Sequence, residues 1–377
     1  MTARTTADSA LRIASPRAAP PACDAQPLPA REVRVLIVKR DKLGDLLLTT
    51  PVLAHLAARL PHAEIHLLAN DYNAWVVRTH PALARTWCYS RARDGGRLRI
   101  VAAVSQLPML VQLRRQRFDW AIVMNGEESH RGIRRAIASG ASRVVAYAET
   151  PSRYGSSLTD PIPPPTEGHE TTRMLALLAP LGLAKRQATI DAPSFELPDD
   201  SRAFARAWLS SRGLHPRAYA VVGVGARRAK KQPTPAQVVR WARWFHGAHG
   251  LPTVFMWTPG DARNPAYPGD DSLAAEIVRE ALPFVHPFRG PIHEALGLIF
   301  EARTSVMPDS GLMHFAAASD GGVLGLFADP TDSAPASRWA PLGPRGRYVE
   351  AQRCVAELAD EVVFEAIAPL LEKAKTG

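Results

Sequence analysis

Twice along the chain, short β-branched apolar runs alternate with helix-length amphipathic patterns, and that alternation restricts the fold more than any other feature. Val33–Val38, Glu64–Leu68, Trp120–Met124 and Arg143–Tyr147 read as strands in the first half. Tyr219–Val222, Thr253–Trp257, Ser305–Met307 and Val323–Phe327 read as strands in the second. Runs of this kind suit strands buried on both faces. Between them lie helical patterns, among them Val52, Leu53, Leu56 and Leu60, with Thr50-Pro51 expected to cap and start the helix. Glu170–Leu181, Gln237–His246, Ser272–Ala281 and Gly311–Ala318 read as further helices, and residues 355–373 as a closing one. Strand–helix alternation of this kind is the pattern of open parallel α/β sheets.

The alternation stops at Pro161-Ile-Pro-Pro-Pro165, a Pro-rich stretch expected to act as a hinge, and a loose segment runs to about Asp200 before the pattern restarts. The expected organisation is a disordered tail over 1–31, an N-terminal Rossmann-like domain over 32–195, a C-terminal one over 196–354, and a terminal helix over 355–377. At 377 residues the chain is long enough for two such domains, with a cleft between them as the natural ligand site. Its net charge of +10 points to anionic partners. The three cysteines, Cys23, Cys88 and Cys354, have no metal or disulfide spacing and fit a reducing cytoplasm. There is no apolar run of membrane-spanning length, and residues 1–30 carry no continuous apolar segment before Pro20-Pro21, so neither a membrane span nor a signal peptide is expected.

Four stretches carry chemistry. Lys39-Arg-Asp-Lys-Leu-Gly-Asp45 follows the first strand, where ligands bind in open α/β sheets. Asp45 there either takes a proton from an attacking hydroxyl or simply favours a helix start. Lys39, Arg40 and Lys42 are candidates to hold an anionic substrate. Val222-Gly-Val-Gly-Ala-Arg-Arg-Ala-Lys230 begins like a dinucleotide fingerprint but has Arg228 in the third-glycine place, which disfavours a nicotinamide oxidoreductase. Its cations, Arg227, Arg228, Lys230 and Lys231, either meet a pyrophosphate or form a solvated basic loop.

In Pro308-Asp-Ser-Gly-Leu-Met-His314, Ser310 and Gly311 open a helix whose start attracts a phosphate, with His314 in reach. The alternative is an ordinary cap and a packed histidine. In Phe327-Ala-Asp-Pro-Thr-Asp332, Thr331 either donates to a ligand or belongs to a turn. Other chemistries are excluded: there is no P-loop, no nucleophile elbow and no Asp-x-Asp pair for a metal-bound sugar nucleotide. His62 and His66 fall on an expected strand, too far apart for one metal. Trp241 and Trp244, at helical spacing, are expected in the core.

Together these stretches resemble glycosyltransferase family 9, the ADP-heptose:lipopolysaccharide heptosyltransferases. The likeness rests on Val35–Leu53 with its Leu-Gly-Asp turn, on Gly225-Ala226 followed by Lys230 and Pro233, and on Pro308–Ala318, and it spans roughly residues 33–350. Departures are Arg227-Arg228 after Gly-Ala, Gln232 in place of a Trp, and Phe327-Ala328 in place of Phe-Gly.

The resemblance implies a two-domain GT-B fold and inverting sugar transfer from a nucleotide donor without a metal or other cofactor. It implies Asp45 as catalytic base and Lys230 as the group that neutralises the departing diphosphate. Gly225, Ala226, Asp309, Ser310, Gly311, His314 and Thr331 would form the donor site, with Asp271 meeting the nucleoside. The implied partners are a nucleotide sugar and an anionic glycolipid or glycan, with peripheral contact at the inner membrane and no nucleic acid. The alternatives are a transferase for a different nucleotide sugar, or a non-catalytic nucleotide-sugar-binding protein.

Overall fold

A computed structural model describes residues 32–40, 42–90, 106–149, 151–184, 190–264, 268–332 and 335–372. The expected tail over 1–31 lies outside the described residues, as do residues 373–377 of the expected terminal helix.

The first half forms a sheet from β1 (Arg34–Val38), β2 (Glu64–Asn70), β3 (Arg85–Tyr89), β4 (Trp120–Val123), β5 (Arg143–Tyr147) and β6 (Asp160–Ile162). The second half forms another from β7 (Ala220–Gly223), β8 (Thr253–Met256), β9 (Val285–Phe288), β10 (Thr304–Pro308), β11 (Val323–Phe327) and β12 (Gly346–Glu350). The strand orders are β3-β2-β1-β4-β5-β6 and β12-β11-β10-β7-β8-β9, and every pairing is parallel. Read from β7 onward, the second order repeats the first, so both halves have the dinucleotide-fold topology. Each has a switch point, between β1 and β4 and between β7 and β10.

The helices are α1 (Leu43–Leu47), α2 (Thr50–Arg59), α3 (Leu107–Arg115), α4 (His130–Ala138), α5 (Glu170–Ala176), α6 (Asp199–Ser210), α7 (Pro235–His249), α8 (Asp271–Arg279), α9 (Ile292–Phe300), α10 (Gly311–Ala317), α11 (Ala336–Trp339) and α12 (Asp360–Leu371). Helix α7 shows why local sequence suffices for some of them. Thr234 and Gln237 form a reciprocal capping box, Pro235 opens the first turn, and Gly250 closes the helix in the left-handed region. Trp241 is fully buried with its indole N–H donated to Asp360, and Trp244 stacks on Phe364 of α12. Trp241 is a core residue, and Trp244 packs half-buried against the core.

One hydrophobic core runs from Ile37 and Leu46 of the first half to Met313 and Phe315 of the second. Trp75 lies parallel to Phe315 at 5.9 Å, and Phe195 meets Phe315 edge-on. The two halves are therefore packed together over an apolar interface.

Beyond the edge strands β3, β9 and β12, which the sequence reading lacks, three details of connection and capping differ from it. The Pro-rich stretch does not begin as a hinge: Asp160-Pro161-Ile162 is edge strand β6, paired to β5, and an edge position tolerates the missing N–H of proline. The loose segment leads into α6, whose Phe204, Trp208 and Leu209 pack on the second half. Thr50 does not cap α2: Thr49 holds that place, while the Thr50 hydroxyl donates to Leu47 O and accepts the Ser194 N–H.

Candidate active site

The four chemistry-bearing stretches sit at carboxyl ends of the strands, and three of them flank the switch points. Lys39–Asp45 leaves β1, Gly225–Lys231 leaves β7, and Asp309–Gly311 leaves β10, while Phe327–Asp332 leaves the neighbouring β11. Two of these stretches meet across the domain boundary. Helix α1, which carries Asp45, packs on the start of α10. The approach requires glycine: a Cβ on Gly44 would fall 2.8 Å from His314 Cδ2 and 3.1 Å from Gly311 Cα.

Asp45 is the third residue of α1, and its Oδ2 accepts the Lys42 N–H at 3.0 Å, which fixes the carboxylate's orientation at the turn. Opposite it, Ser310 is the extended N-cap of α10 and makes no side-chain capping bond. His314 is buried, with no protein partner for Nδ1. Burial, reinforced by the nearby His169, pushes its pKa down to about 3, so the ring is neutral at ordinary pH. Trp339 Nε1, in a ring 6.4 Å from His314, is likewise buried without a protein partner. Two buried polar atoms without a protein partner thus lie close together at this boundary, where a water or a polar ligand can bond them.

The basic cluster divides. Lys231 forms an ion pair with Asp309, and Lys230 Nζ donates to the Asp329 backbone carbonyl at 3.0 Å. Both ammonium groups thus lie beside the loops that leave β10 and β11. Arg227 and Arg228 are exposed. Gln232 Nε2 bonds the carbonyls of Val224 and Ala226, both at 3.3 Å, and Asp270 Oδ1 at 2.5 Å. It thereby shapes the Gly225-Ala226 turn, where Gly225 backs onto Thr258.

Some candidates have other work. Lys39 does not face an acceptor: it is fully buried, and its Nζ stands 3.9 Å from Glu170 Oε1. The Arg40 carbonyl accepts from Asn70 Nδ2, and Lys42 is exposed. Thr331 gives its hydroxyl and its N–H to the Asp329 carboxylate, the turn arrangement rather than ligand donation. Asp271 accepts from Arg289 and from Trp257 Nε1, bonds that hold its carboxyl well below the usual range.

Sequence reasoning missed a second set of residues at the same boundary: His169 and Glu170 at the start of α5, and Arg338 of α11. Glu170 is buried and bonded to both Gly126 and Arg338, and His169 Nε2 bonds Ala340 O at 3.0 Å. An acid opening an otherwise buried helix was the available signal for Glu170; Arg338 has none in its neighbours.

Two Rossmann-type domains with their switch-point loops turned toward a shared boundary make up the GT-B fold. Residues 109–367 match the model of glycosyltransferase family 9 (heptosyltransferase), and the chain belongs to that family. The matched region holds Lys230, Asp309 and His314 but starts after Asp45. Solved structures cover more of the chain. A family 9 glycosyl transferase from Veillonella parvula is 18% identical, with 90% of this chain and 97% of that one covered at a TM-score of 0.73. The E. coli ADP-heptose LPS heptosyltransferase II is 18% identical, covering 90% and 98% at a TM-score of 0.66. The E. coli heptosyltransferase WaaC with ADP, again 18% identical, covers 90% and 99% at 0.63. At this identity they establish the fold. Among curated proteins no sequence match was found.

Proposed function

We propose that the protein is an inverting, metal-independent glycosyltransferase that moves heptose from ADP-heptose onto a lipopolysaccharide-core or other surface-glycan acceptor at the cytoplasmic face of the inner membrane. The observation that carries this reading is the contact of the Asp45 turn with the start of α10, which brings a candidate base from one domain against the helix start proposed to take the diphosphate.

The chemistry follows from that pairing. An acceptor hydroxyl attacks the anomeric carbon from the side opposite the diphosphate, and its proton passes to Asp45. The bond from the anomeric carbon to the phosphate oxygen breaks, and its electron pair leaves with ADP. A single displacement of this kind inverts the anomeric configuration. Lys230, Lys231 and the N–H groups at the start of α10 offset the charge that develops on the diphosphate, the role a divalent ion fills elsewhere. A positioned base contributes roughly 10²–10⁴-fold. Support for the donor comes from the E. coli relatives described with ADP-heptose or ADP.

Support for a lipid-borne acceptor comes from α3 and α4. Helix α3 exposes Leu107 and Val111 one turn apart, with Arg114 and Arg115 beyond them, and α4 exposes Arg131 and Arg134. Neither helix contains a carboxylate. Apolar and cationic side chains on one surface suit an anionic bilayer. No helix among the described residues is long and apolar enough to cross a membrane.

The test is a thermal-shift panel with ADP-heptose, ADP, UDP-glucose, GDP-mannose and NAD, run on wild type and Asp45→Asn. A donor at a hundredfold excess over Kd stabilises by about 2.7 kcal/mol. The expected result is a shift with ADP-heptose and ADP in both proteins, and transfer by wild type only, undiminished in excess chelator. A shift with another nucleotide sugar alone would replace the donor. Donor binding without transfer to any core acceptor would point to a binding protein.

A further inference from the structure

Arg338 reaches from the second domain into the first. Its Nε donates to Glu170 Oε2 at 2.9 Å, and its Nη1 donates to Glu127 Oε2 at 3.1 Å. The other oxygen of Glu170 accepts the Gly126 N–H at 2.8 Å. A Cβ on Gly126 would lie 2.3 Å from Glu170 Oε2, so the Glu170 carboxylate packs directly against the Gly126 backbone. Arg173 Nη1 holds the Gly126 carbonyl at 3.3 Å. The segment Asn125–Glu128 is therefore gripped at its amide, its carbonyl and one carboxylate. It leaves β4, the strand beside β1 at the switch point, so it borders the turn that carries Asp45.

The cluster pairs opposite charges, with Arg173 as a further cation beside Gly126. Lys39 and Arg338 face Glu170 and Glu127. Burial works against the Arg338 guanidinium, but the two carboxylates more than offset it and raise its pKa. Nearby, His169 accepts the Thr171 N–H on Nδ1, which leaves Nε2 as the donor to the Ala340 carbonyl. That is a second cross-domain bond, two residues beyond Arg338. Stability alone is a weak reason for such a cluster, because desolvation largely cancels the attraction in a buried ion pair. The apolar interface around Phe315 already joins the halves. What a forked guanidinium adds is direction, since it fixes two carboxylates in one geometry.

We propose that Arg338 is a positioning residue for transfer: from the donor-side domain it sets the Asn125–Glu128 loop on the acceptor side, so that the acceptor hydroxyl lines up with Asp45 only when the domains are engaged. This rests on the transfer reading above. The test compares wild type, Arg338→Met, Arg338→Lys and Glu127→Gln by amide hydrogen exchange and by transfer kinetics with ADP-heptose and deacylated lipopolysaccharide core. Glu127 is largely exposed, so its variant folds even if Arg338→Met does not. The expected result is faster exchange at residues 125–128 in Arg338→Met and Glu127→Gln, with β1 and β10 unchanged. Turnover should fall roughly 10–100-fold in Arg338→Met while the KM for ADP-heptose stays within about twofold. Lysine, which keeps the charge but not the fork, should restore only part of the rate.

Unchanged exchange in the loop, or faster exchange spread evenly over the core strands with a matching fall in Tm, would overturn the proposal. So would full rescue by lysine. Failure of wild type to turn over ADP-heptose would instead fault the transfer reading, because the exchange measurement does not depend on it.

Discussion

Lys231 and Asp309 form an ion pair that joins the loop leaving β7 to the loop leaving β10, the two strands that flank the donor-side switch point. Lys230, its neighbour in sequence, turns instead to the Asp329 carbonyl. Two adjacent lysines thus have separable jobs. Lys231→Ala strands a mostly buried carboxylate and should cost about 1–3 kcal/mol of stability together with activity. Lys230→Ala gives up a bond to the Asp329 carbonyl and an attraction to the exposed Asp329 carboxylate, a cost of about 1–2 kcal/mol, and should lower turnover by roughly 10–10³-fold through lost charge relief. Thermal melts and initial rates on both variants check the split; equal losses of stability and rate in Lys230→Ala would remove its catalytic role.

Gly44 offers a sharper test of the domain contact. An added methyl meets the His314 ring and the Gly311 backbone at sub-contact distance, and the backbone has no flexible end to move aside. Gly44→Ala should cost about 1–3 kcal/mol as overpacking and shift Asp45 relative to α10. A displacement near 1 Å lowers rates by about 100-fold, so transfer should fall far more than donor affinity. Retained transfer in Gly44→Ala would mean that the contact is not part of the working geometry.

The sheet centres were legible because they are buried on both faces. Val35-Leu-Ile-Val38, Trp120-Ala-Ile-Val123 and Val323-Leu-Gly-Leu-Phe327 read as strands without any knowledge of neighbours. Edge strands were not, because one side meets solvent and the pattern fades, as in Arg85-Thr-Trp-Cys-Tyr89 and Gly346-Arg-Tyr-Val-Glu350. Pro161 misled for the same reason, since an edge strand accepts a proline that a central strand refuses. At the site, the motif positions of Asp45, Lys230 and His314 were visible, but the environment of each was not. The burial of Lys39 depends on Glu170, and Glu170 meets Arg338 across 168 residues of sequence. Local patterns hold no record of such a pair.

His314 predicts a pH dependence. Its folded pKa of about 3 lies below the ordinary 6.5, because burial disfavours the charged ring and His169 adds to the effect. Between those values the unfolded chain binds the extra proton and the folded one does not. Stability is therefore complete above about pH 6.5 and falls as pH drops toward 3, by up to about 1.4 kcal/mol per pH unit. His169, half-buried, has its pKa lowered by desolvation and contributes with the same sign. The measurement is the difference between wild type and His314→Gln in Tm from pH 7 to pH 4.5. Wild type should lose stability more steeply; parallel curves would place the His314 ring in contact with solvent.

The surface of α3 and α4 gives the last expectation. Leu107 and Val111 are 53% and 48% exposed, an unusual cost for apolar side chains on one helix face. The arginines around them lack acidic neighbours on either helix, so a second copy of the same face would be repelled while an anionic bilayer would be attracted. Each arginine near a charged bilayer contributes about 1 kcal/mol, and salt screens that part but not the apolar part. Wild type should sediment with vesicles containing phosphatidylglycerol and not with pure phosphatidylcholine, and 0.5 M salt should weaken the association. Leu107→Ser with Val111→Ser should reduce binding several-fold at low salt while leaving donor-induced thermal shifts intact. Absence of sedimentation with anionic vesicles would leave the donor chemistry standing and turn the search toward an acceptor met in solution.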